Sequence, residues 1–162
     1  MSSGGDDDIE RIRYLVLAAQ REGSRALAAE LAPLALTPAQ AEVLRVLVDD
    51  EPLTLTGLGE LLVCESGTNP SRLVGRLIDA GLVQKQGVAD DARQILLRLT
   101  DRGRERQREA ARVERRLHDR MREALRSVDL GVLASALEGL VNGTPAGDAI
   151  ARRAATPRRV RA

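Results

Sequence analysis

The apolar residues of this chain change their spacing once. In residues 83–99, Ile95, Leu97 and Leu99 alternate with Gln94, Leu96 and Arg98, which is the period of a strand. Val83 to Gln86 reads as a partner strand, and Gly87-Val88-Ala89-Asp90-Asp91 as the turn between them. One hairpin therefore stands in a chain whose other periodic segments are helical. Composition agrees. Of the 162 residues 43% are hydrophobic, yet Tyr14 is the only aromatic. The core has to be built from Leu, Val, Ile and Ala, a mixture that suits helices better than sheet faces. The expected fold class is mostly α with one small β-hairpin.

The segments before the hairpin carry sharp helix starts. Thr37-Pro38-Ala39-Gln40 is a capping box with proline at the first helical position. The Thr37 hydroxyl can accept from the Gln40 backbone N–H, and the Gln40 side chain can reach back. A helix is expected from Pro38 to about Val48, with Ala41, Leu44, Leu47 and Val48 inward and Asp49-Asp50-Glu51-Pro52 as its break. Thr54 caps a short helix whose apolar residues are Leu55, Leu58 and Leu62. After a turn from Val63 to Asn69, Asn69-Pro70 repeats the cap-then-proline start. That helix runs to about Ala80, where Gly81 is a left-handed stop and Leu82 supplies the usual hydrophobic contact. Two such helices joined by a short turn form a helix-turn-helix candidate, and the hairpin directly after them is a wing.

Longer helices flank this unit. Ile12, Leu15, Val16, Ala19, Ala26 and Leu27 recur at helical spacing from Ile9 to about Leu31, interrupted by Gly23 and ended by Pro33. Thr100 caps a charged helix to about Ser127, roughly 40 Å at 1.5 Å per residue. Val113, Leu117, Met121 and Leu125 form one narrow stripe on it, and a last helix spans about Leu130 to Val141. The expected organisation is a disordered acidic N-terminus (1–8), a dimerisation helix (9–36), a winged helix-turn-helix domain (37–100), C-terminal dimerisation helices (101–142) and a flexible basic tail (143–162). The outer helices are assigned to dimerisation because a small DNA-binding lobe offers their apolar stripes no obvious partner.

The net charge is only +1, but it is unevenly spread. Asp6, Asp7, Asp8 and Glu10 crowd the N-terminus. Residues 66–108 hold nine basic side chains against five acids, and the last twelve residues add five arginines and no acid. Local sign decides whether a polyanion is attracted. Cys64 is the only cysteine, so an internal disulfide is excluded. The polar, acidic start is unlike a signal peptide and no apolar run approaches membrane-spanning length, so a cytoplasmic protein with no membrane partner is expected. No phosphate-binding glycine loop or nucleophile motif is present, and His118 is the only histidine. The chain is expected to be neither an enzyme nor a holder of a cofactor or metal.

The ordered set of Leu36-Thr37-Pro38-Ala39-Gln40, then Ser71-Arg72-Leu73-Val74-Gly75-Arg76-Leu77 with Gly81-Leu82-Val83, then Asp90-Asp91-Ala92-Arg93 through Leu99-Thr100-Asp101-Arg102-Gly103 resembles the multiple antibiotic resistance regulator (MarR) family. The resemblance covers about residues 9–141. It implies dimers in which first and last helices intertwine, and repression by occupying a promoter, often relieved by a small ligand. It also implies a ligand pocket between the helical dimer region and the wing. Two departures stand out. The turn before the second helix is one residue longer than usual and places Pro70 where a helix interior normally begins, and Ala92 stands where the wing tip often has an arginine.

In the second helix Leu73 with Leu77, and Val74 with Ile78, form the buried face, leaving Ser71, Arg72, Gly75, Arg76 and Asp79 outside. Arginine can bond guanine O6 and N7 as a pair or clamp a phosphate. The bland alternative is a solvated face with an Arg76–Asp79 pair. Thr68, Asn69, Ser71, Arg72 and Arg76 are the candidate DNA-binding residues of the motif, with Lys85 and Arg98 as phosphate contacts. Arg93 at the wing turn suits a narrow minor groove, with Asp91 holding its side chain. Cys64 in the turn reads as a small apolar residue. A redox role is the alternative, disfavoured by neighbouring Glu65, which raises a thiol pKa. The leading reading is a sequence-specific transcription regulator: a dimeric repressor on an inverted-repeat operator of double-stranded DNA, released by an unidentified small ligand. The alternatives are a redox-sensing regulator acting through Cys64, or a winged-helix protein-interaction module that does not read DNA.

Overall fold

The computed structural model describes residues 3–63, 69–88 and 91–155. Helix α1 (Ser3–Leu31) leads through a 3-10 turn (Ala32–Leu34) to α2 (Pro38–Asp50), α3 (Leu55–Gly59) and α4 (Pro70–Asp79). The antiparallel strands β1 (Val83–Val88) and β2 (Asp91–Leu99) follow, then α5 (Asp101–Ala124), α6 (Leu130–Val141) and α7 (Pro145–Ala155).

Helix starts form where side chains replace missing backbone partners. Thr37 Oγ1 accepts the Gln40 N–H at 3.2 Å and Gln40 Oε1 accepts the Thr37 N–H at 2.9 Å. Asn69 Oδ1 accepts the Ser71 N–H at 2.9 Å, so Pro70 begins α4 rather than interrupting it. Gly81, at φ 69°, ends α4 as expected. Its N–H reaches the Ile78 carbonyl at 2.8 Å and the Leu82 N–H reaches the Leu77 carbonyl at 2.9 Å, the paired bonds of a left-handed helix stop. Thr100 then ties the two halves together. Its hydroxyl donates to the Gly81 carbonyl at 2.7 Å and accepts the Gly103 N–H at 3.0 Å.

A two-stranded hairpin is marginal in water, and here it is anchored at its root. Leu53, between α2 and α3, bridges Leu97 with backbone bonds of 3.3 and 2.7 Å. Glu51 accepts the Leu99 N–H at 2.7 Å and pairs with Arg104 of α5. Leu97 and Leu99 thereby enter a core with Leu31, Leu44, Leu47, Leu58, Leu77 and Val83, whereas Ile95 is left half exposed. Neither the Leu53 bridge nor the role of Glu51 shows in the spacing of apolar residues.

The ends of the chain depart from expectation. Residues 3–8, read as disordered, form the first turns of α1, where Asp6 sits favourably at the positive end of the helix dipole. The segment read as a flexible tail contains α7, because Thr144 caps it and Pro145 starts it. The charged helix ends at Ala124 rather than near Ser127. Among the described residues no single helix is long and apolar enough to cross a membrane.

Candidate nucleic-acid interface

Helix α4 buries Leu73, Val74 and Leu77 and turns Ser71, Arg72 and Arg76 to solvent. Space within 4 Å of the Gly75 Cβ position is empty, so the middle of this face is backbone that another molecule can approach closely. No carboxylate of the described residues forms an ion pair with Arg72, Arg76 or Lys85, and the Arg76–Asp79 pair of a plain solvated face is not formed. These guanidiniums are held by their helix and left to water, the state a phosphate or base edge can exploit.

The hairpin extends the same surface. Lys85, exposed on β1, pairs across the ladder with Leu97, and Gln84 pairs with Arg98. Arg98 is half-buried, and its Nε is buried with no hydrogen-bond partner. A small cavity of about 160 Å³ between α4 and the hairpin is lined by Ser71, Val74, Gly75, Ile78, Lys85 and Ile95, among others. Asn69 is exposed, with its side chain committed to capping α4. Arg93 and Asp91 lie on β2, Asp91 opposite Val88, but their side chains fall outside the described residues, as do Cys64 and Thr68 altogether.

Two other arginines of the basic segment are structural. Arg104 pairs with Glu51, and Arg106 donates to the Leu34 carbonyl and pairs with Glu109 at 3.1 Å. A second polar feature lies between α2 and α5. A cavity of about 470 Å³ is bordered by Arg45, Arg108, Arg112 and Arg115 around Val48 and Ala111, with Asp49 and Gln107. Arg45 is 3.1 Å from Asp49 and 3.7 Å from Glu114. Burial pushes the Glu114 carboxyl above the usual range although Arg45, His118 and Arg153 oppose the shift. Among the described residues no cluster of His, Cys, Asp and Glu is arranged to hold a metal ion.

The family of winged helix DNA-binding domains matches residues 36–103, the stretch from Leu36 through α4 and the hairpin to Gly103. Over 108 residues the chain is 36% identical to the HTH-type transcriptional regulator TtmR of Methylorubrum extorquens (strain PA1). That match takes in 64% of this chain and spans about half, 55%, of the relative. Solved structures extend the likeness to the flanking helices. A mutant of MarR from E. coli, complexed with operator DNA, matches with a TM-score of 0.65 and 26% identity, over 83% of this chain and 94% of that one. The chain thus carries a winged helix DNA-binding domain and is similar in fold to MarR-family regulators. The transcriptional repressor CouR, bound to a 23-mer DNA duplex, matches with a TM-score of 0.69 and 27% identity, over 80% and 91% of the two chains. Within the winged-helix match α4 takes the place of the second helix of the helix-turn-helix and the β1–β2 hairpin that of the wing.

Proposed function

We propose that this chain is a sequence-specific DNA-binding transcription regulator that works as a homodimeric repressor and is released by a small anionic ligand. The observation that carries the DNA reading is the outward face of α4. There Arg72 and Arg76 are exposed without an ion-pair partner among the described residues, and they flank an unobstructed Gly75 beside the Lys85 side of the wing. In such a geometry the helix enters a major groove and the wing lies along the flanking backbone, with Arg93 assigned to the minor groove. MarR and CouR, each solved on DNA, support this reading. A DNA target fits the cytoplasmic location expected from the sequence.

The dimer rests on apolar residues that one chain leaves in water. Ile9, Ile12, Leu15 and Val16 on α1, and Leu130, Val132, Leu137 and Leu140 on α6, are all exposed, and α6 buries no residue of its own. Covering such area recovers about 25 cal/mol per Å². The ligand is assigned to the arginine-bordered cavity between α2 and α5. Arg108, Arg112 and Arg115 select an anion, while Arg45 is engaged by Asp49, and Val48 and Ala111 accept an apolar body.

The test is a mobility-shift titration on duplexes enriched by the wild-type protein from a random pool. Arg72→Ala and Arg76→Ala should each weaken the enriched duplex by about 1–3 kcal/mol, the loss of a paired guanine contact. Unchanged affinity in both variants contradicts the assignment of α4, and failure to enrich any duplex favours the protein-interaction alternative.

A further inference from the structure

Helix α7 lies outside the segment that matches the winged-helix family, yet it is built to a fixed position. The Thr144 hydroxyl accepts the Gly147 N–H at 3.1 Å and donates to the Val141 carbonyl at 2.6 Å. A Cβ on residue 147 would stand 2.2 Å from the Val141 oxygen, so only glycine lets α7 fold back this closely on the end of α6. Ala149 is buried. The opposite end of α7 reaches the helix-turn-helix. Arg152 donates to the Glu60 carbonyl at 3.3 Å, and Arg153 Nη1 lies 2.8 Å from Glu42 Oε1. That same carboxylate oxygen accepts the Val63 N–H at 2.9 Å, and the Glu42 side chain is only 8% exposed. Val63 lies beyond the end of α3 and ahead of α4 in the chain. One buried oxygen thus holds the chain after α3, and α7 supplies a counter-charge to it.

We infer that Arg153 and Glu42 are positioning residues for DNA recognition, and that α7 is a strap from α6 to α2 and to the chain at Val63, ahead of α4. The role in recognition rests on the proposed DNA reading, whereas the strap itself rests on the contacts above. A buried carboxylate is tolerated when it is paired and hydrogen-bonded. Without Arg153 the Glu42 carboxylate loses the guanidinium that fixes it from α7. It then holds the Val63 N–H less firmly, and α4 gains freedom relative to α2. Base contacts need fixed geometry, whereas attraction to phosphates does not. The loss therefore falls on sequence-specific binding. Because α6 carries the proposed dimer contacts, the strap also joins that surface to the reading helix.

The test uses the full chain as wild type, Arg153→Ala, Arg153→Lys, Glu42→Gln and the Arg153→Ala/Glu42→Gln double variant. Amide hydrogen exchange at Val63 is followed without DNA, and affinity is measured for the duplex enriched by the wild type and for a scrambled duplex of equal composition. Arg153→Ala should exchange at Val63 about tenfold faster. It should bind the enriched duplex about tenfold more weakly and the scrambled one unchanged. Arg153→Lys should fall between it and the wild type. Glu42→Gln should rescue the double variant, since a neutral amide needs no counter-charge and its oxygen still accepts the Val63 N–H. Unchanged exchange in Arg153→Ala, equal losses on both duplexes, or no recovery in the double variant overturns the inference. If the wild type enriches no duplex, the DNA reading fails and the positioning role with it. The exchange measurement then still decides whether the strap holds Val63.

Discussion

The winged-helix unit and the outer helices use the same Leu, Ile, Val and Ala side chains to opposite ends. In the unit, Val43, Leu44, Leu47, Leu58 and Leu77 are fully buried within one chain. On α1 and α6, side chains of the same kind, from Ile9 to Val16 and from Leu130 to Leu140, stand in solvent. Similar stripes therefore end differently: one closes intramolecularly, and the other stays exposed in the single chain, where the proposed dimer would cover it. The two regions should fail differently when cut.

The largest effect belongs to the unit. Leu44→Ala should lower stability by about 2–5 kcal/mol, as cavity-forming substitutions in a packed core do. Calorimetry should show a fall in Tm beyond any change in association. A loss under about 1 kcal/mol would mean that this core is looser than its burial indicates.

On the outer helices the same tool should break assembly instead. Light scattering of the wild type should give twice the 17.5 kDa of one chain. Placing a charge at two exposed α6 positions, Leu137→Asp with Leu140→Asp, should give the single-chain mass with helicity retained. A wild-type monomer at micromolar concentration, or a dimer that ignores both aspartates, breaks the comparison.

A smaller effect separates tail from strap. Residues 156–162 contribute Arg158, Arg159 and Arg161. Deleting them should weaken all duplexes alike and flatten the salt dependence, since phosphate neutralisation is blind to sequence. Deleting 143–162 also removes α7 and should additionally cost sequence preference. Equal outcomes for the two deletions would show that α7 adds nothing.

The smallest effect is electrostatic. Burial raises the Glu114 carboxyl above its ordinary value. The folded chain therefore holds that proton more tightly than the unfolded chain does. Its contribution becomes less favourable as pH rises through the carboxylate range. Glu114→Gln should raise Tm at neutral pH, and the gain should vanish below a pH of about 4. A gain that grows toward acid would reverse the assigned cause.

The sequence is most legible where one side chain answers one backbone group. Thr37, Asn69, Thr100 and Gly81 each end or begin an element at the expected place. The exposed face of α4 follows from the same periodicity, because a ten-residue helix with Leu73, Val74 and Leu77 inward has little choice of orientation. Thr144-Pro145 is the same cap-then-proline signal as Thr37-Pro38, hidden by Gly, Ala and Arg composition that reads as a tail. Contacts between distant residues were not legible. Glu42 with Arg153 spans 111 positions and Glu51 with Leu99 spans 48, and no local pattern encodes either. The arginine-bordered cavity is of this kind too, since Arg45 on α2 meets Arg108, Arg112 and Arg115 on α5 only through tertiary packing.

The central claim is that α4 and the wing of a symmetric pair read DNA, and binding-site selection from random duplexes tests it most directly. Two α4 helices should enter successive major grooves, so the enriched sequence should be an inverted repeat with half-sites about 10 base pairs between centres. Selection repeated with Arg76→Ala should relax preference inside each half-site, and with Arg93→Ala the preference for A·T-rich flanks. Enrichment of no sequence, or of one that both variants select as sharply as the wild type, would contradict the account.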